Sequence, residues 1–526
     1  MGVRSKSWQL SKSWQLSKSG GTLQELAALQ ELGYRAFQQI RLFSYIPLMI
    51  KMDRTNLLTP IVAFLMLAIA APMAQAQEVF FTNGGKVLDV TGTEATVWTR
   101  LCADAKPNPV VHQREEKVFR HPVGFDEKMP IEKMDGGVRG AAGEVRFLLE
   151  GAGRKDSCDW MATGADKDFT AYRHFSGLRP GTSYAVVLEG RSAPKGRVTR
   201  MRLTFKTVPD DRKPVLITTS TCQYFWSFDD SSRGFRTYMS MQAMRPDLFV
   251  QTGDYVYYDK PGPMATDAAK ARHKWHAMDA WPSIRAFYET TPAYLLKDDH
   301  DLLADDVHPS SKPFGSLTVP AGLSIWRENV PLRGKPYRTL TWGRDLQIWF
   351  LEGREFRSPN DQPDGPDKTI WGAEQKAWLE HTLSQSTAQW KIVFSPTPIV
   401  GPDRATKKDN HANAVYQHEG DWARQFLAAR GAIVVNGDRH WQYVSRDSAT
   451  GLWEFGSGPV SDYHAQGWPP NERRPEHRFL RVAGGYLSIR MVYEQENPIM
   501  IFTHHDVFGR VTHTERIDSF PQTNQY

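Results

Sequence analysis

Short runs of alternating apolar and polar residues fill the chain from residue 77 to about residue 210. They are KVLDV, ATVWTRL, EVRFLLE, SYAVVLEGR and RMRLTFKT, separated by segments rich in Gly, Pro and Asp. Because side chains alternate between the two faces of a β-strand, a period of two indicates strands with one buried face. Several such strands between turn segments are typical of two packed sheets. We therefore predict an all-β sandwich domain over residues 77–210.

The end of this segment has a more specific pattern. FSGLRPGTSYAVVLEG (175–190) places Leu178, Pro180, Gly181 and Tyr184 in an arrangement that resembles the corner before a late strand of fibronectin type III-like domains. DKDFTAYRHF (166–175) supplies the preceding strand. The sandwich is therefore expected to be fibronectin type III-like.

The pattern changes after TVPDDRKP, where apolar runs begin to alternate with segments of helical period. This order is typical of an α/β domain, which we predict over residues 211–526. The predicted strands are VLITT (215–219), DLFVQT (247–252), AYLL (293–296), LQIWFL (346–351), WKIVFS (390–395) and AIVVN (432–436). The predicted helices are FRTYMSMQAM (235–244), AEQKAWLEHTL (373–383) and DWARQFLAA (421–429), and GGYLSIRMVY with IMIFTHHDVFGRV predicts a closing strand hairpin.

The first 76 residues contain two unusual segments. In residues 1–51, SKSWQL occurs at 5–10 and again at 11–16, and we interpret this stretch as a doubtful N-terminal extension. From Met52, a charged start, an apolar run from Leu57 to Ala71 and the sequence Ala74-Gln75-Ala76 predict a signal peptide at 52–76, cleaved after Ala76. A membrane anchor is the alternative, but the run is shorter than the roughly twenty residues of a spanning helix. We expect an exported protein, periplasmic or secreted, with no stable membrane span.

Net charge argues against nucleic acid as a partner, except as a substrate. The chain has 65 Lys and Arg against 59 Asp and Glu, and residues 1–56 hold eight of these bases and three of the acids. The remainder therefore has 65 − 8 = 57 bases against 59 − 3 = 56 acids. A nucleic-acid-binding domain usually shows a concentrated excess of basic residues. We expect a monomer that binds a phosphate ester.

The three cysteines become informative if the protein is exported. An oxidising compartment favours paired thiols, so an odd number needs an explanation. Cys102 and Cys158 both lie in the first predicted domain and are able to pair, which leaves Cys222 over.

Four predicted strands run directly into clusters of potential metal ligands. In α/β sheets, the loops beyond the carboxyl ends of the strands form the binding crevice, so these clusters are expected to converge. The clusters are Ser220-Thr221-Cys222, Gly253-Asp254-Tyr255-Val256-Tyr257, Lys297-Asp298-Asp299-His300-Asp301 and Asn436-Gly437-Asp438-Arg439-His440.

Each cluster alone has an ordinary structural interpretation. A Gly-Asp pair after a strand is commonly a turn, a lone His or Cys is commonly part of the core, and three aspartates are commonly a solvated turn. Because potential metal ligands follow four separate strands, one shared site is favoured over four unrelated structural interpretations.

These residues also carry a resemblance to the alkaline phosphatase D (PhoD-like) metallophosphoesterases, over most of the chain after the signal peptide. The matching pieces are STCQY (220–224), RPDLFVQTGDYVYYD (245–259), LLKDDHD (295–301), GAEQKAWLEHTL (372–383), NGDRH (436–440) and WEFGSGPVS (453–461). The resemblance implies a β-sandwich ahead of a four-layered α/β/β/α metallophosphoesterase domain, and hydrolysis of phosphate monoesters or diesters.

The resemblance also implies the ligands. Asp254 looks like a carboxylate that bridges two ions, and Cys222, Tyr257 and His440 look like the other ligands of Fe³⁺. Asp299 and Asp438 look like ligands of Ca²⁺ or of another divalent ion such as Mg²⁺, Mn²⁺ or Zn²⁺. Thiolate and phenolate suit ferric iron and carboxylates suit hard cations, which agrees with this division. Asp298 is an alternative to Asp299, and Asp305 and Asp306 are candidates for an additional calcium.

Three further residues are candidates for work on the phosphate. Two cations are able to activate a bridging water for in-line attack and to hold two phosphate oxygens. His300 is placed to protonate the leaving group, or alternatively to orient Asp299. Arg354 and Arg357 follow another strand end and suit phosphate oxygens, or alternatively pair with Glu352 or Glu355.

Two other functions compete with phosphate-ester hydrolysis. A sulfatase or a carboxyl esterase could use the same site, although a dinuclear site of this kind suits tetrahedral phosphorus. A cell-surface binding protein with a structural metal site is the non-enzymatic alternative, given the sandwich and the 17 Trp and 18 Tyr residues. The expected substrate is a small molecule or a polymer that carries a phosphate ester.

Overall fold

Three β-sheets organise residues 78–519, the part of the chain that this computed structural model describes. The predicted N-terminal extension (1–51) and the predicted signal peptide (52–76) lie outside the described residues. Within residues 78–519, no helix combines the length and the apolar character needed to cross a bilayer.

The described residues contain 21 strands. In chain order they are β1 (Gly85–Leu88), β2 (Ala95–Arg100), β3 (Gly143–Gly151), β4 (Arg154–Ser157), β5 (Met161–Thr163), β6 (Thr170–Phe175), β7 (Ser183–Arg191), β8 (Thr199–Lys206), β9 (Val215–Ser220), β10 (Leu248–Thr252), β11 (Ala293–Leu296), β12 (Arg338–Trp342), β13 (Leu346–Phe350), β14 (Trp390–Ser395), β15 (Ala432–Asn436), β16 (Gln442–Arg446), β17 (Trp453–Ser457), β18 (His477–Arg481), β19 (Tyr486–Glu494), β20 (Asn497–His505) and β21 (Val511–Ile517). The α-helices are α1 (Arg236–Met244), α2 (Ala268–Asp279), α3 (Pro282–Tyr288), α4 (Val319–Asn329), α5 (Gly372–Ser384) and α6 (Gln417–Ala429).

Two large sheets form the centre of the protein. The nine-stranded sheet has the order β21-β20-β19-β9-β10-β11-β1-β2-β6, and the seven-stranded sheet has the order β12-β13-β14-β15-β17-β16-β18. The neighbours β9, β10 and β11 are parallel in the first sheet, and β13, β14, β15 and β17 are parallel in the second. The loops that leave the carboxyl ends of these parallel strands therefore meet at one edge of each sheet.

The two large sheets face each other across an apolar core. Ile217 on β9 and Val250 on β10 share this core with Ile392 on β14 and Val435 on β15. Alternate residues point away from it, so Phe249 on β10 packs against helical residues instead. The nearly continuous apolar sequence of β10 and β15 reflects burial of both faces of each sheet.

Helices cover the outer faces of both sheets. Tyr238 of α1, Trp275 of α2 and Trp326 of α4 pack on the nine-stranded sheet. Leu379 of α5 and Leu427 of α6 pack on the seven-stranded sheet. This gives the α/β/β/α layering that the resemblance implied.

The first predicted domain shares one of its layers with the nine-stranded sheet. Strands β3, β4, β7 and β8, with β5 paired to β3, form a five-stranded sheet. Its Phe147 and Val186 pack against Val87 of β1 and Val97 of β2. Strand β1 in turn pairs with β11 through Leu88 and Ala293. Two sheets therefore pack face to face as predicted, but the likeness to a fibronectin type III domain and the boundary at residue 210 stay predictions.

Most predicted elements are present, but helices α2 and α4 were not predicted. Helix α4 buries Val319, Gly322, Ile325, Trp326 and Asn329 at helical spacing, a period that the sequence analysis did not use. Helix α2 is buried on several sides, with His273, Lys274 and His276 all inside the protein, so it has no separate polar face.

The cysteines are unpaired. Cys102, Cys158 and Cys222 are all free thiols, so the structure does not contain the Cys102–Cys158 pair that the sequence allowed. The Cys102 thiol instead donates to Oδ1 of Asn83, at 3.2 Å.

Candidate metal centre

The loops after three parallel strands meet at Thr221, which follows β9. Its Oγ1 donates to the carbonyl oxygen of Gly253 after β10, at 3.2 Å. Oγ1 of Thr221 also accepts the backbone N–H of Asp438 after β15, at 3.2 Å. One hydroxyl therefore joins loops from both large sheets, and these strand ends converge as the sequence pattern predicted.

Four of the predicted ligands lie together. Sγ of Cys222 is 3.4 Å from Oδ2 of Asp254. The Tyr257 hydroxyl donates to the same oxygen at 3.0 Å and lies 3.2 Å from Nε2 of His440. Ligand atoms of Cys222, Asp254 and His440 all lie within 4.8 Å of one another. Thiolate, carboxylate, phenolate and imidazole groups around one point are suited to a transition-metal ion.

The backbone at these ligands is strained. Cys222, Asp254 and Asp438 have φ values of 49°, 59° and 65°. This left-handed conformation costs a non-glycine residue on the order of 1 kcal/mol, and such strain concentrates at functional sites. Gly253 allows the chain to turn here, since a Cβ at this position would lie 2.6 Å from Cβ of Asp298. The loops therefore hold the ligands in conformations that the unconstrained chain disfavours.

A second group of carboxylates shares Asp254. Oxygens of Asp254, Asp298 and Asp438 lie within 4.8 Å of one another. Oδ1 of Asp254 and Oδ2 of Asp298 are buried and have no hydrogen-bond partner among residues 78–519. Buried carboxylate oxygens are strongly unfavourable unless donors or cations compensate them. The orphaned oxygens and the all-oxygen ligand set fit a hard divalent cation such as Ca²⁺.

The structure places Asp298, rather than Asp299, beside Asp438. Asp299 accepts the backbone N–H groups of His300 at 3.0 Å and of Asp306 at 2.7 Å. It still shares a group of possible ligand atoms with Asp254 and His300. The choice between the two aspartates stays a prediction, and the geometry favours Asp298 as the partner of Asp438.

Electrostatics favour a cation at this position. Burial raises the pKa of Asp254 well above its usual value, because the charge of His300 offsets only part of the desolvation. Burial likewise raises the pKa of Asp438, against the charge of Arg439. The pKa of the Cys222 thiol is raised by burial and by the charge of Asp254. A bound cation reverses such shifts by stabilising the deprotonated ligands.

His300 is held by a carboxylate outside the ligand groups. Its Nδ1 lies 2.7 Å from Oδ1 of Asp259, and Oδ2 of Asp259 accepts from Nζ of Lys260 at 2.9 Å. Although burial alone would lower the pKa of His300, the charges of Asp259 and Asp299 raise it well above its ordinary value. Nδ1 is thus engaged by Asp259, whereas Nε2 lies 3.9 Å from Oδ1 of Asp305.

Arg354 forms ion pairs with aspartates of the ligand cluster. Its Nε donates to Oδ1 of Asp298, and Nη2 lies 3.6 Å from Oδ2 of Asp299. The alternative prediction of an ion pair with Glu352 or Glu355 is not met among the described residues, because both glutamates pair with Lys297 instead. Burial of Nη1 and Nη2 without hydrogen-bond partners among the described residues leaves donors directed into this region.

Arg357 lies on the same side of the site. Its Nη2 donates to the carbonyl oxygen of Asp409, while Nε and Nη1 are buried without hydrogen-bond partners among residues 78–519. The roles of Arg354 and Arg357 on phosphate stay predictions.

Lys407 occupies the acidic cluster that was a candidate for an additional calcium. Its Nζ lies 3.4 Å from Asp305, 3.2 Å from Asp306 and 3.4 Å from Asp409. Although burial alone would lower it, the charge of Asp409 and its neighbours raises the pKa of Lys407. Asp305 and Asp306 also share a group of possible ligand atoms with Asp299, so the additional calcium stays a prediction.

The family model of the PhoD-like phosphatases matches residues 216–513, more than half of the 526-residue chain. The chain belongs to the PhoD-like phosphatase family. All four strand-end clusters lie within this matched range.

Individual known proteins also resemble this PhoD-like chain, at low sequence identity. Alkaline phosphatase D of Bacillus subtilis (strain 168) is 24% identical over 210 residues, which are 32% of this chain and 36% of the relative. The aligned region thus spans about a third of that protein. A solved structure of PhoD superposes with a TM-score of 0.61 at 16% identity, covering 84% of this chain and 93% of that one. Purple acid phosphatase PPD1 from yellow lupin (Lupinus luteus) seeds gives 0.56 at 11% identity, covering 86% and 78%. At these identities the two structures establish the fold only.

Two groups beside the PhoD-like ligand cluster were not singled out from the sequence. Arg439 pairs with Asp438 at 2.8 Å and with Asp403 at 2.6 Å, so it links the ligand loop to a distant loop. His464 packs against His440 with ring centroids 4.3 Å apart. The one available signal for His464 was its position soon after β17, at another strand end of the same sheet.

Proposed function

We propose that this PhoD-like protein is an exported, metal-dependent phosphoric ester hydrolase that acts on phosphomonoesters or phosphodiesters. The position of Asp254 carries the proposal. Its carboxylate belongs both to the group with Cys222 and His440 and to the group with Asp298 and Asp438. One carboxylate shared by two ligand groups is the arrangement expected of a dinuclear hydrolase.

The donor sets support ferric iron in the first group and calcium or another hard divalent ion in the second. Sulfur, phenolate and imidazole ligands favour a transition metal, whereas the second group offers only carboxylate oxygens. When bound, two such ions supply an activated water and positive charge for phosphate oxygens. Neutral His440 suits a metal ligand, because burial and then the charge of His464 lower its pKa well below the ordinary value.

The chain's own residues would divide the remaining work. His300 is held by Asp259 with Nε2 directed away from that carboxylate, which suits donation of a proton to the leaving oxygen. Arg354 and Arg357 place unpartnered guanidinium donors beside Asp298 and Asp409, which suits retention of the negatively charged phosphoryl group. The predicted signal peptide is the basis for export.

Release of phosphate from 4-nitrophenyl phosphate by metal-loaded protein tests the proposal. Asp254→Asn and Cys222→Ala are each expected to abolish phosphate release. The first removes the negative charge of the carboxylate that both groups share, and the second removes a ligand of the first group. Cys158→Ala is the matched control, because Cys158 is also a free thiol but lies in the first predicted domain. Its Sγ accepts the backbone N–H of Phe147 at 3.2 Å. A metal-loaded wild-type protein that hydrolyses neither 4-nitrophenyl phosphate nor its bis-ester would instead favour a binding protein with a structural metal site.

A further inference from the structure

A hairpin from the first predicted domain reaches the metal centre. Residues 113–123, here called the Phe119 hairpin, are closed by hydrogen bonds from Glu115 N to His121 O (2.9 Å) and from Val123 N to Gln113 O (2.7 Å). At its tip, the backbone N–H of Phe119 donates to the carbonyl oxygen of Tyr463 at 2.6 Å. The tip therefore lies beside the loop that follows β17.

The hairpin is fixed along both of its sides. Nη1 of Arg114 donates to the carbonyl oxygens of Trp226 (3.0 Å) and Phe228 (2.5 Å). On the other side, the Tyr224 hydroxyl donates to the carbonyl oxygen of Pro261 at 2.8 Å and so accepts from Nδ1 of His121 at 3.0 Å. A segment with this many anchors is a fixed part of the site.

Phe119 is held in a conformation that large side chains avoid. Its φ is 59°, where a bulky residue is an outlier. Such strain persists only where surrounding contacts impose it, and it is a reason to look for a function. The ring stacks on Tyr224 with centroids 5.0 Å apart and meets His464 edge-on at 4.6 Å. It also lies parallel to the predicted ligand His440, with centroids 6.1 Å apart and an interplanar angle of 14°.

The two sides of the metal centre differ in polarity. Asp298 and Asp438 lie on the side of Arg354, Arg439 and Lys407, which suits an anionic phosphoryl group. His440 lies on the side of Phe119, and the neighbouring Val118 is an exposed apolar residue. An ester bound between them would therefore direct its alcohol group toward the hairpin.

We propose that Phe119 forms the apolar wall of the substrate site and limits the size of the alcohol group that the ester carries. This inference rests on the proposed hydrolase function. A fixed aromatic wall favours small, flat alcohol groups and excludes larger ones, because the anchored hairpin does not move aside at low cost.

Phe119→Gly tests the wall, although removal of this buried ring leaves a cavity that lowers stability. Glycine adopts positive φ without strain, so the change removes the ring and relieves the backbone. We expect the ratio of kcat/KM for 1-naphthyl phosphate to kcat/KM for phenyl phosphate to rise about tenfold. Phe119→Leu is expected to raise the ratio by a smaller factor, and it decides the question if the glycine variant does not fold.

The chain provides a closely matched control. Phe169 has the same φ of 59° but packs against Gly140 and near Arg100, away from the predicted ligands. Phe169→Gly therefore makes the same change in the same backbone conformation and should leave the ratio as in wild type. If the wild type is active on phenyl phosphate and the folded Phe119 variants have an unchanged ratio, Phe119 does not limit the size of the alcohol group. That result leaves the hydrolase proposal intact. A metal-loaded wild type inactive on both esters contradicts both.

Discussion

The buried carboxylate of Asp301 accepts the backbone N–H of Asp254, with 2.8 Å between Oδ2 and N. Oδ2 also accepts the N–H of Asp298 at 2.9 Å, and Oδ1 accepts that of Val256 at 3.0 Å. One side chain thus fixes the loops after β10 and β11 relative to each other. Asp301 does not belong to the ligand group that contains Cys222 or to the one that contains Asp438. It nevertheless sets the positions of the loops after β10 and β11, which carry Asp254 and Asp298.

Asp301→Ala is expected to reduce both stability and metal content. It leaves three backbone donors without their acceptor, which costs on the order of 3 kcal/mol of unfolding free energy. Loss of a group that orients ligands typically lowers metal affinity by about 10- to 100-fold. Urea unfolding and metal analysis of the purified variant measure the two effects.

Asp247→Ala is the control for this change. Asp247 also accepts a backbone N–H, from Leu216 at 2.9 Å, but at the opposite ends of the same parallel strands. It should lose about 1 kcal/mol of stability and retain its metal. Full metal content in Asp301→Ala would contradict the positioning role.

Asp259→Asn tests whether His300 protonates the leaving group. The hydrogen bond of 2.7 Å between Asp259 and His300 orients the ring. Without it, kcat for an alkyl phosphate is expected to fall on the order of 100-fold, because a poor leaving group needs the proton. The fall for 4-nitrophenyl phosphate should be much smaller, since its leaving group is stable as an anion. Equal losses for both esters would favour the alternative, in which His300 orients Asp299.

The strand-end residues of the candidate site were predictable because their positions follow from a simple rule. Each apolar run marks a buried strand, and parallel strands bring their carboxyl ends to one edge. Cys222, Asp254 and Asp438 each lie two residues after the last residue of a strand, and the structure brings them together. Which of Asp298, Asp299 and Asp301 faces the centre depends on the turn within one loop, and the sequence shows no period there.

The position of Phe119 beside the metal centre could not be predicted from the sequence. It lies about a hundred residues before Cys222, in a loop with no alternation and no motif. It reaches His440 because β1 and β2 extend the nine-stranded sheet and bring the first predicted domain beside the metal centre. Contacts of this kind follow from sheet pairing over long sequence separations, which local patterns do not report.

Cys222→Ser is expected to change the colour of the protein. A thiolate and a phenolate bound to ferric iron give charge-transfer absorption in the visible range, and Sγ of Cys222 lies beside Tyr257 and Asp254. The substitution should remove the thiolate component and leave the phenolate component from Tyr257. A colourless wild-type protein that is full of zinc would contradict the iron assignment and leave the hydrolase proposal standing.

Lys407→Gln is expected to open an additional calcium site. The ammonium group lies within 3.4 Å of Asp305, Asp306 and Asp409, so its removal takes the positive charge away from Asp305 and Asp306, while Asp409 keeps its ion pair with Arg439. Clustered carboxylate oxygens bind Ca²⁺. Equilibrium dialysis should then find about one more calcium per chain than in wild type. Equal stoichiometry in the two proteins would show that the cluster does not bind calcium even without Lys407.

Asp168, away from the metal centre, is expected to stabilise the folded protein through its charge. This buried carboxylate pairs with Arg100 of β2 at 3.1 Å and with Nε2 of His276 on α2. Although burial alone would raise it, the charges of His276 and Arg100 lower the pKa of Asp168 to about 2.

A lowered carboxyl pKa stabilises the folded state at pH values above the unfolded pKa, near 4. That contribution, about 2 kcal/mol, is lost as pH falls from about 4 through about 2, because the unfolded chain takes up the proton first. Asp168→Asn should therefore be less stable than wild type at pH 7, with the difference shrinking below pH 4. Urea unfolding of both proteins at several pH values measures this, with exposed Asp126→Asn as control. A difference that stays constant down to pH 2 would show that the Asp168 charge contributes nothing to stability.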